Sequence, residues 1–129
     1  MNIRSMTLEL LPGGYAVVRL DAGEPLPAWA GQGPFVSITR TDAELSVVCP
    51  QEAVPPAARA ERGWRCLRVV GPLGFGVTGI LASLAGPLAS SGVSIFVVST
   101  YDTDYLLVQE RDLDRGVDAL SRAGHTVLR

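Results

Sequence analysis

A glycine-rich turn between two apolar segments is the feature that most restricts how this chain can fold. Residues 71–79, Gly-Pro-Leu-Gly-Phe-Gly-Val-Thr-Gly, follow the apolar run 66–70 and lead into a segment of small residues that begins at Ile80. A second apolar run, residues 93–100, comes next. This order predicts a strand, a turn, a helix and a strand. Since the first N–H groups of a helix have no intrahelical partners, it also predicts an anion-binding helix N-terminus.

Composition restricts the class of protein. A length of 129 residues fits one compact domain or two very small ones, and a hydrophobic content of 47% indicates a well-buried interior. The net charge of −2 predicts no surface for nucleic acid. No apolar run approaches the ~20 residues of a membrane span, and the N-terminus has no apolar signal region. We therefore expect a cytoplasmic chain with neither a nucleic-acid nor a membrane partner.

The sequence contains no constellation typical of catalysis or metal binding. Cys49 and Cys66 lack C-x-x-C spacing and are predicted to be buried free thiols, and His125 is predicted to lie on the surface. No serine lies in a G-x-S-x-G elbow, and no nucleophile, base and oxyanion site assemble. We expect no enzyme activity, no catalytic residue, no metal and no cofactor.

The first half of the chain is predicted to be mainly strands. Apolar and polar residues alternate at 7–11 and at 15–20, on either side of Pro-Gly-Gly. This pattern predicts a β-hairpin. Strands are predicted at residues 35–39 and 44–49, with a helical turn at 27–30 and a short helix at 57–62.

The second half predicts a more regular order. Strands at residues 64–70, 93–100, 104–108 and 125–128 alternate with helices at 79–91 and after Asp112, which end at Gly92 and Gly124. The resulting β-α-β-β-α-β order is that of the ferredoxin-like fold.

A faint internal repeat predicts that this unit is doubled. With an offset of 60, residues 35–48 lie over residues 95–108, and Asp42 and Glu44 then fall on Asp102 and Asp104. The expected division is residues 1–62 and 63–129, with a complete second unit and an eroded first unit whose helices have shrunk.

One motif points to a different function. Residues 74–79 match G-x-G-x-x-G, and Asp102 lies near the spacing that a dinucleotide-binding fold requires. However, the short turn that contains Asp102 implies an antiparallel hairpin, whereas a dinucleotide-binding sheet needs a parallel crossover. A dinucleotide-binding protein is therefore the less favoured alternative.

The chain resembles the small tandem ACT-domain proteins found mostly in bacteria. The resemblance rests on residues 63–69, 71–75, 78–85 and 94–105, together with 10–20 and 35–41 in the first half. It extends more distantly to the regulatory ACT pairs of aspartate kinases and to the cytosolic arginine sensors of animals. The resemblance implies an α+β protein of two packed ferredoxin-like ACT units that binds a free amino acid where the units meet. Gly74 departs from the acidic residue that such proteins often have there.

The residues themselves also suit a zwitterion. Such a ligand needs N–H donors for its carboxylate and oxygen atoms for its ammonium group. The glycine-rich loop offers the donors and the turn at residues 99–104 offers the oxygens. Ser37 and Thr39 of the first half are expected to line the partner half of the pocket. The predicted ligand-binding residues are Phe75, Gly76, Val77, Thr78, Gly79, Ile80, Ser99, Thr100, Asp102, Asp104, Ser37 and Thr39.

Two other interpretations stay open. The glycines can serve a tight turn alone and Asp102 can be an ordinary turn residue, in which case the chain is an assembly module without a ligand. In either case, uncovered sheet edges predict a homodimer.

Overall fold

Eight strands and two α-helices make up the part of the chain that this computed structural model describes, residues 5–71 and 78–129. The helices are α1 (Ile80–Ser90) and α2 (Leu113–Arg122), and single 3-10 turns lie at Ala28–Ala30, Gln51–Ala53 and Glu110–Asp112. None of the helices in these ranges is long and apolar enough to cross a membrane. The strands are β1 (Thr7–Leu10), β2 (Tyr15–Leu20), β3 (Ser37–Arg40), β4 (Leu45–Pro50), β5 (Ala60–Val69), β6 (Ile95–Ser99), β7 (Asp104–Gln109) and β8 (Thr126–Leu128).

The chain forms two compact units, and the long strand β5 supplies residues to both. The N-terminal unit is Gly13–Trp64, and the C-terminal unit combines Met1–Pro12 with Arg65–Arg129. The first strand, β1, therefore belongs to the C-terminal unit. The sequence predicted a different kind of division, into two repeats at residues 1–62 and 63–129. That division stays a prediction.

The C-terminal unit has the predicted β-α-β-β-α-β order, running from β5 through α1, β6, β7 and α2 to β8. Strand β7 pairs with β5 and β6, and β1 pairs antiparallel with β5 and parallel with β8. Apolar faces of both helices pack on this sheet because their buried positions recur at helical spacing. The fully buried core includes Leu8, Leu67, Val69, Leu84, Leu88, Leu106, Val108 and Leu120.

Both helices end at the predicted glycines. Gly92 and Gly124 have φ angles of 74° and 98°, in the left-handed region that favours glycine. After α1, the Val93 N–H donates to the Leu88 carbonyl, and after α2 the His125 N–H donates to the Leu120 carbonyl. This Schellman pattern satisfies carbonyl groups at each helix end and turns the chain back toward the sheet.

The N-terminal unit repeats the same order with its helices reduced. Strand β2 pairs antiparallel with β4 and with the first residues of β5, and β3 pairs with β4. The 3-10 turns Ala28–Ala30 and Gln51–Ala53 stand where α1 and α2 stand in the other unit. Its separate core comprises Ala16, Val18, Ala30, Leu45, Val47, Cys49 and Val54. The unit is thus an eroded copy of the ferredoxin-like pattern.

Two local predictions are wrong. Residues 7–11 and 15–20 do not form a hairpin, because both runs pair antiparallel with β5: Leu8 lies opposite Val69, and Val18 lies opposite Ala60. Residues 57–62 are not a helix, since β5 begins at Ala60 and its pairing with β2 overrides the helix propensity of the Ala, Arg and Glu residues.

Candidate functional site

A closed four-residue turn, Thr100 to Thr103, joins β6 to β7. The Thr100 N–H donates to the Thr103 carbonyl at 2.8 Å, and the Thr103 N–H donates to the Thr100 hydroxyl oxygen at 3.3 Å. The Thr100 hydroxyl in turn donates to the Thr103 carbonyl at 3.1 Å. These reciprocal bonds fix the turn without glycine, so the groups on it have defined positions.

Thr103 anchors this turn to the end of β5. Its side chain is buried, with 5% of the residue exposed, and its hydroxyl donates to the Val69 carbonyl at 2.6 Å. Beyond Val69 the chain continues through Gly71 toward α1, so the bond places the turn beside the start of the glycine-rich segment. Thr103 is not among the ligand-binding residues predicted from the sequence. The one signal for it was a second threonine three residues after Thr100, immediately before a strand.

Ser99 and Asp104 come together at the base of the turn. They lie opposite each other in the β6–β7 register, and the Ser99 hydroxyl donates to Asp104 Oδ1 at 2.6 Å. Asp104 is half-buried, whereas Asp102 is exposed at the tip of the turn. Of the two predicted acids, Asp104 therefore has the fixed orientation that cation binding requires.

The N-terminus of α1 is the predicted anion site. Gly79 precedes the helix with a φ of 81°, and no side chain of the described residues caps the first turn. Thr78 and Gly79 are exposed, and no acid lies in the first turn, whereas Ile80 is buried in the core. These N–H groups, at the positive end of the helix dipole, can therefore take an anion.

The other predicted residues are not brought to this place by the described contacts. Phe75, Gly76 and Val77 lie outside the described residues. Ser37 and Thr39 lie on β3 of the N-terminal unit, opposite Val48 and Ser46. Their part in ligand binding stays a prediction.

The N-terminal unit contains a matching turn, which corrects the register of the internal repeat. The Thr41 N–H donates to the Glu44 carbonyl at 2.9 Å, and the Glu44 N–H donates to the Thr41 hydroxyl oxygen at 3.1 Å, as in the other turn. Thr41 therefore corresponds to Thr100, an offset of 59, and the match of Asp42 and Glu44 with the two later acids is wrong. The hydrogen-bonded turn sets the register, and it places the buried Leu45 where the C-terminal unit has Asp104.

His125 is buried, and its prediction as a surface residue is wrong. Only 4% of the residue is exposed, because the Schellman turn after α2 directs it inward. The Met6 N–H donates to Nδ1 at 3.0 Å, and Nε2 lies 3.0 Å from the Ser83 carbonyl of α1, so the Nε2–H donates there. His125 thus joins α1 to the residue before β1.

Neither thiol is a candidate nucleophile. Cys49 and Cys66 are free and buried, as predicted. Burial raises the pKa of Cys66 to about 12 and also raises the pKa of Cys49, so both thiols stay protonated. Within residues 5–71 and 78–129, no three His, Cys, Asp or Glu side chains cluster to hold a metal ion.

Two family models match the chain. A family model of the ACT domain matches residues 59–122, and a model of an N-terminal domain matches residues 13–57. The chain belongs to the ACT-domain family. Its predicted α+β, ferredoxin-like class is confirmed, and β6 and β7 are antiparallel, unlike the crossover that a dinucleotide-binding sheet needs.

Two solved structures match nearly the whole chain. A crystal structure of an Agrobacterium tumefaciens protein is 48% identical, with a TM-score of 0.93, and the match covers 98% of this chain and 94% of that chain. The ligand-free regulatory subunit of Thermus thermophilus aspartate kinase is 13% identical, with a TM-score of 0.59 over 90% of this chain and 93% of that chain. At this identity, the match to the aspartate kinase subunit shows a similar fold and nothing about function.

A curated animal relative shares part of the sequence. The rat cytosolic arginine sensor for mTORC1 subunit 1 is 38% identical over 89 residues, which is 68% of this ACT chain. The match spans 26% of the length of that relative.

Proposed function

We propose that this ACT-domain chain is a non-catalytic regulatory module that senses a free amino acid in its C-terminal unit. The observation that carries the proposal is the bond from the Thr103 hydroxyl to the Val69 carbonyl. It holds the turn with its fixed acid beside the strand end that leads to α1. In this proposal the oriented carboxylate and the N-terminus of α1, which no described side chain caps, bind the same ligand.

The two charges of an amino acid suit these two groups. Its carboxylate accepts hydrogen bonds from the N–H groups of the first turn of α1, where the helix dipole adds to the attraction. Its ammonium group donates to Asp104, which Ser99 holds in place. Each such contact is a charge-assisted hydrogen bond, stronger than one between neutral groups. No nucleophile or general base takes part.

Arginine is the first ligand to test, because the rat relative is named a cytosolic arginine sensor. The same name supports a cytoplasmic location for this chain. Since the match spans only 26% of that relative, arginine is the first candidate within a screen of all twenty amino acids.

The test is a thermal-shift screen of the purified chain with each amino acid, and with NAD to examine the dinucleotide alternative. A ligand at 100 times its Kd stabilises the folded state by about 2.7 kcal/mol, which gives a clear rise in Tm. Asp104→Asn should reduce that rise, and Asp102→Asn is the matched control because it removes an exposed acid from the same turn. No Tm rise with any amino acid, or equal rises in both variants, would contradict the proposal.

A second candidate function, an assembly module, is favoured by exposed apolar residues in the same unit. Tyr101 is 81% exposed, and Val70 and Leu81 are each 38% exposed. Such residues suit an interface, and a homodimer is the simplest assembly. Light scattering should then give twice the 13.6 kDa of one chain. A single-chain mass at all concentrations would exclude the dimer.

A further inference from the structure

The sheet of the N-terminal unit has an apolar face that no α-helix covers. In the C-terminal unit, residues of α1 and α2 form one core with residues of β6 and β7. Within Gly13–Trp64, all of which the structure describes, the helical segments are two 3-10 turns of three residues each. The N-terminal unit therefore has strand pairs like those of the C-terminal unit without the helices that bury them.

The corrected register of the repeat shows which position is left uncovered. Ile38 on β3 lies opposite Val47 on β4. With the offset of 59, these residues correspond to Val97 and Leu106, which lie opposite each other on β6 and β7. Val97 packs against the core that contains both helices. Ile38 is 48% exposed, although Val47 beside it is fully buried. One position of the repeat is therefore packed in the C-terminal unit and exposed in the N-terminal unit.

A second exposed apolar side chain, Leu26, lies on a loop that is tied to the same strand. The Arg40 guanidinium donates to the Glu24 carbonyl at 2.9 Å, which fixes this loop at the end of β3. Arg40 lies on the same face of β3 as Ile38, because side chains two residues apart in a strand share a face. Leu26, two residues after Glu24, is 39% exposed. We refer to this surface as the uncovered face; its residues are Leu26 and Ile38 with the half-buried Trp29 and Val36.

Acidic side chains lie at one end of the uncovered face. Residues 25–39 contain no charged side chain, so the face itself is uncharged. Glu24 and Asp42, which lie beside the Arg40 end of β3, are exposed and take part in none of the ion pairs that join residues in the described ranges. Two acids against one arginine leave this end acidic. Charge complementarity therefore favours a partner that is apolar on one side and basic beside it.

We propose that the uncovered face docks a basic amphipathic α-helix of a partner protein. The helix takes the place on this sheet that an α-helix has on the sheet of the C-terminal unit. Its apolar residues, at i, i+3, i+4 and i+7, bury Ile38 and Leu26. Its Lys or Arg residues lie toward Glu24 and Asp42. This site belongs to the N-terminal unit and does not depend on a ligand at α1.

The test uses the intact chain and a synthetic peptide of Leu and Lys, with Leu at helical spacing. This peptide should shift the NMR signals of the backbone amides of residues 36–40 in a saturable way, and its circular dichroism should become more helical. A peptide with Glu in place of Lys should bind about tenfold more weakly. A third peptide, in which Leu and Lys alternate, favours a strand. No saturable shift with the first peptide, or equal or tighter binding of either other peptide, would overturn the proposal.

Variants of exposed apolar residues locate the site. Ile38→Thr keeps the β-branched shape that suits a strand and removes apolar surface, so it should weaken binding of the Leu and Lys peptide about tenfold. Leu128→Thr is the matched control, because Leu128 is 51% exposed and lies on β8, an edge strand as β3 is. Unchanged binding in Ile38→Thr, or an equal loss in Leu128→Thr, would refute the site.

Two further measurements separate this proposal from self-association and from the proposed function. If light scattering shows a dimer of the unchanged chain and a single chain for Ile38→Thr, a second copy occupies the face and helix docking is overturned. Ile38→Thr should weaken peptide binding and keep the Tm rise that an amino acid gives. Asp104→Asn should do the reverse, so either proposal can fail while the other stands.

Discussion

Replacing Thr103 with valine should destabilise the C-terminal unit and loosen the turn of the proposed site. Valine keeps the β-branched shape of threonine and removes only the hydroxyl that donates to the Val69 carbonyl at 2.6 Å. Because Thr103 is buried, water cannot replace the lost donor.

The size of the effect follows from that burial. An intramolecular hydrogen bond contributes about 1 kcal/mol net, and a buried group left without its partner costs about 1–3 kcal/mol. We therefore expect a loss of about 1–2 kcal/mol in the free energy of unfolding. For a chain of this length, 1 kcal/mol corresponds to roughly 4 °C in Tm, so Tm should fall by about 4–8 °C.

The distribution of reporters allows the C-terminal unit to be followed by itself. Both α-helices, α1 and α2, lie in that unit, whereas both tryptophans, Trp29 and Trp64, lie in the N-terminal unit. Urea unfolding followed by the helical circular dichroism signal should show the loss. Tryptophan fluorescence reports the other unit and reveals whether the two unfold together.

Thr126→Val is the matched control. It makes the same change at an exposed position of β8, where no described side-chain hydrogen bond is lost. The urea midpoint of this variant should stay close to that of the unchanged chain. If Thr103→Val is as stable as Thr126→Val, the Thr103 hydroxyl does not anchor the turn and the basis of the proposed site is wrong.

Three further outcomes follow from buried or constrained groups. Because the fold keeps the Cys66 thiol protonated and its pKa is raised from 9.0 to about 12, the free energy of unfolding should fall between those pH values, by up to about 1.4 kcal/mol per pH unit. Cys66→Ala should flatten that decline in urea unfolding, and an unchanged slope would contradict this origin. His125→Leu should lower the free energy of unfolding by about 2–3 kcal/mol, because it leaves the Met6 N–H and the Ser83 carbonyl without their partner. His125→Gln should recover part of that loss. Equal urea midpoints for His125→Leu and the unchanged chain would refute this role of His125. Gly79→Ala should lower the free energy of unfolding by about 1–2 kcal/mol, because a residue with a side chain is strained at the φ of 81° that Gly79 adopts. Steric overlap does not contribute, since the added Cβ meets no atom within 4 Å. An unchanged urea midpoint would exclude that strain.

Apolar periodicity and turn residues were sufficient to predict the β-α-β-β-α-β order from β5 to β8. The runs that became β5, β6 and β7 are apolar and bounded by glycine or short polar turns, and Gly92 and Gly124 mark the helix ends. The predicted order needed no long-range information, since each element carries its own local signal.

The errors arose where a distant strand decides local structure. The segment at residues 57–62 has helix-forming residues, yet pairing with β2 makes it the start of β5. The burial of His125 depends on Met6 and Ser83, which lie 119 and 42 residues away in sequence. Thr103 was not predicted as a site residue for the same reason, because its partner Val69 lies 34 residues away in sequence.

The corrected repeat register explains why the two units present different chemistry. Both turns close through a threonine hydroxyl, at Thr41 and Thr100, but each is anchored in its own way. In the C-terminal unit the buried Thr103 hydroxyl anchors the turn, so no charged side chain is needed to hold it. Asp104 therefore keeps one carboxylate oxygen without a described partner. In the N-terminal unit the Arg19 guanidinium anchors the turn through the Ala43 carbonyl, and no α-helix supplies N–H groups. An anion at the C-terminal unit therefore meets a helix dipole, whereas the N-terminal unit offers no α-helix for one. Salt should weaken binding of an amino acid at the N-terminus of α1 only modestly, because backbone N–H groups bind the carboxylate by direct hydrogen bonds, which salt screens less than the attraction of an exposed side-chain charge.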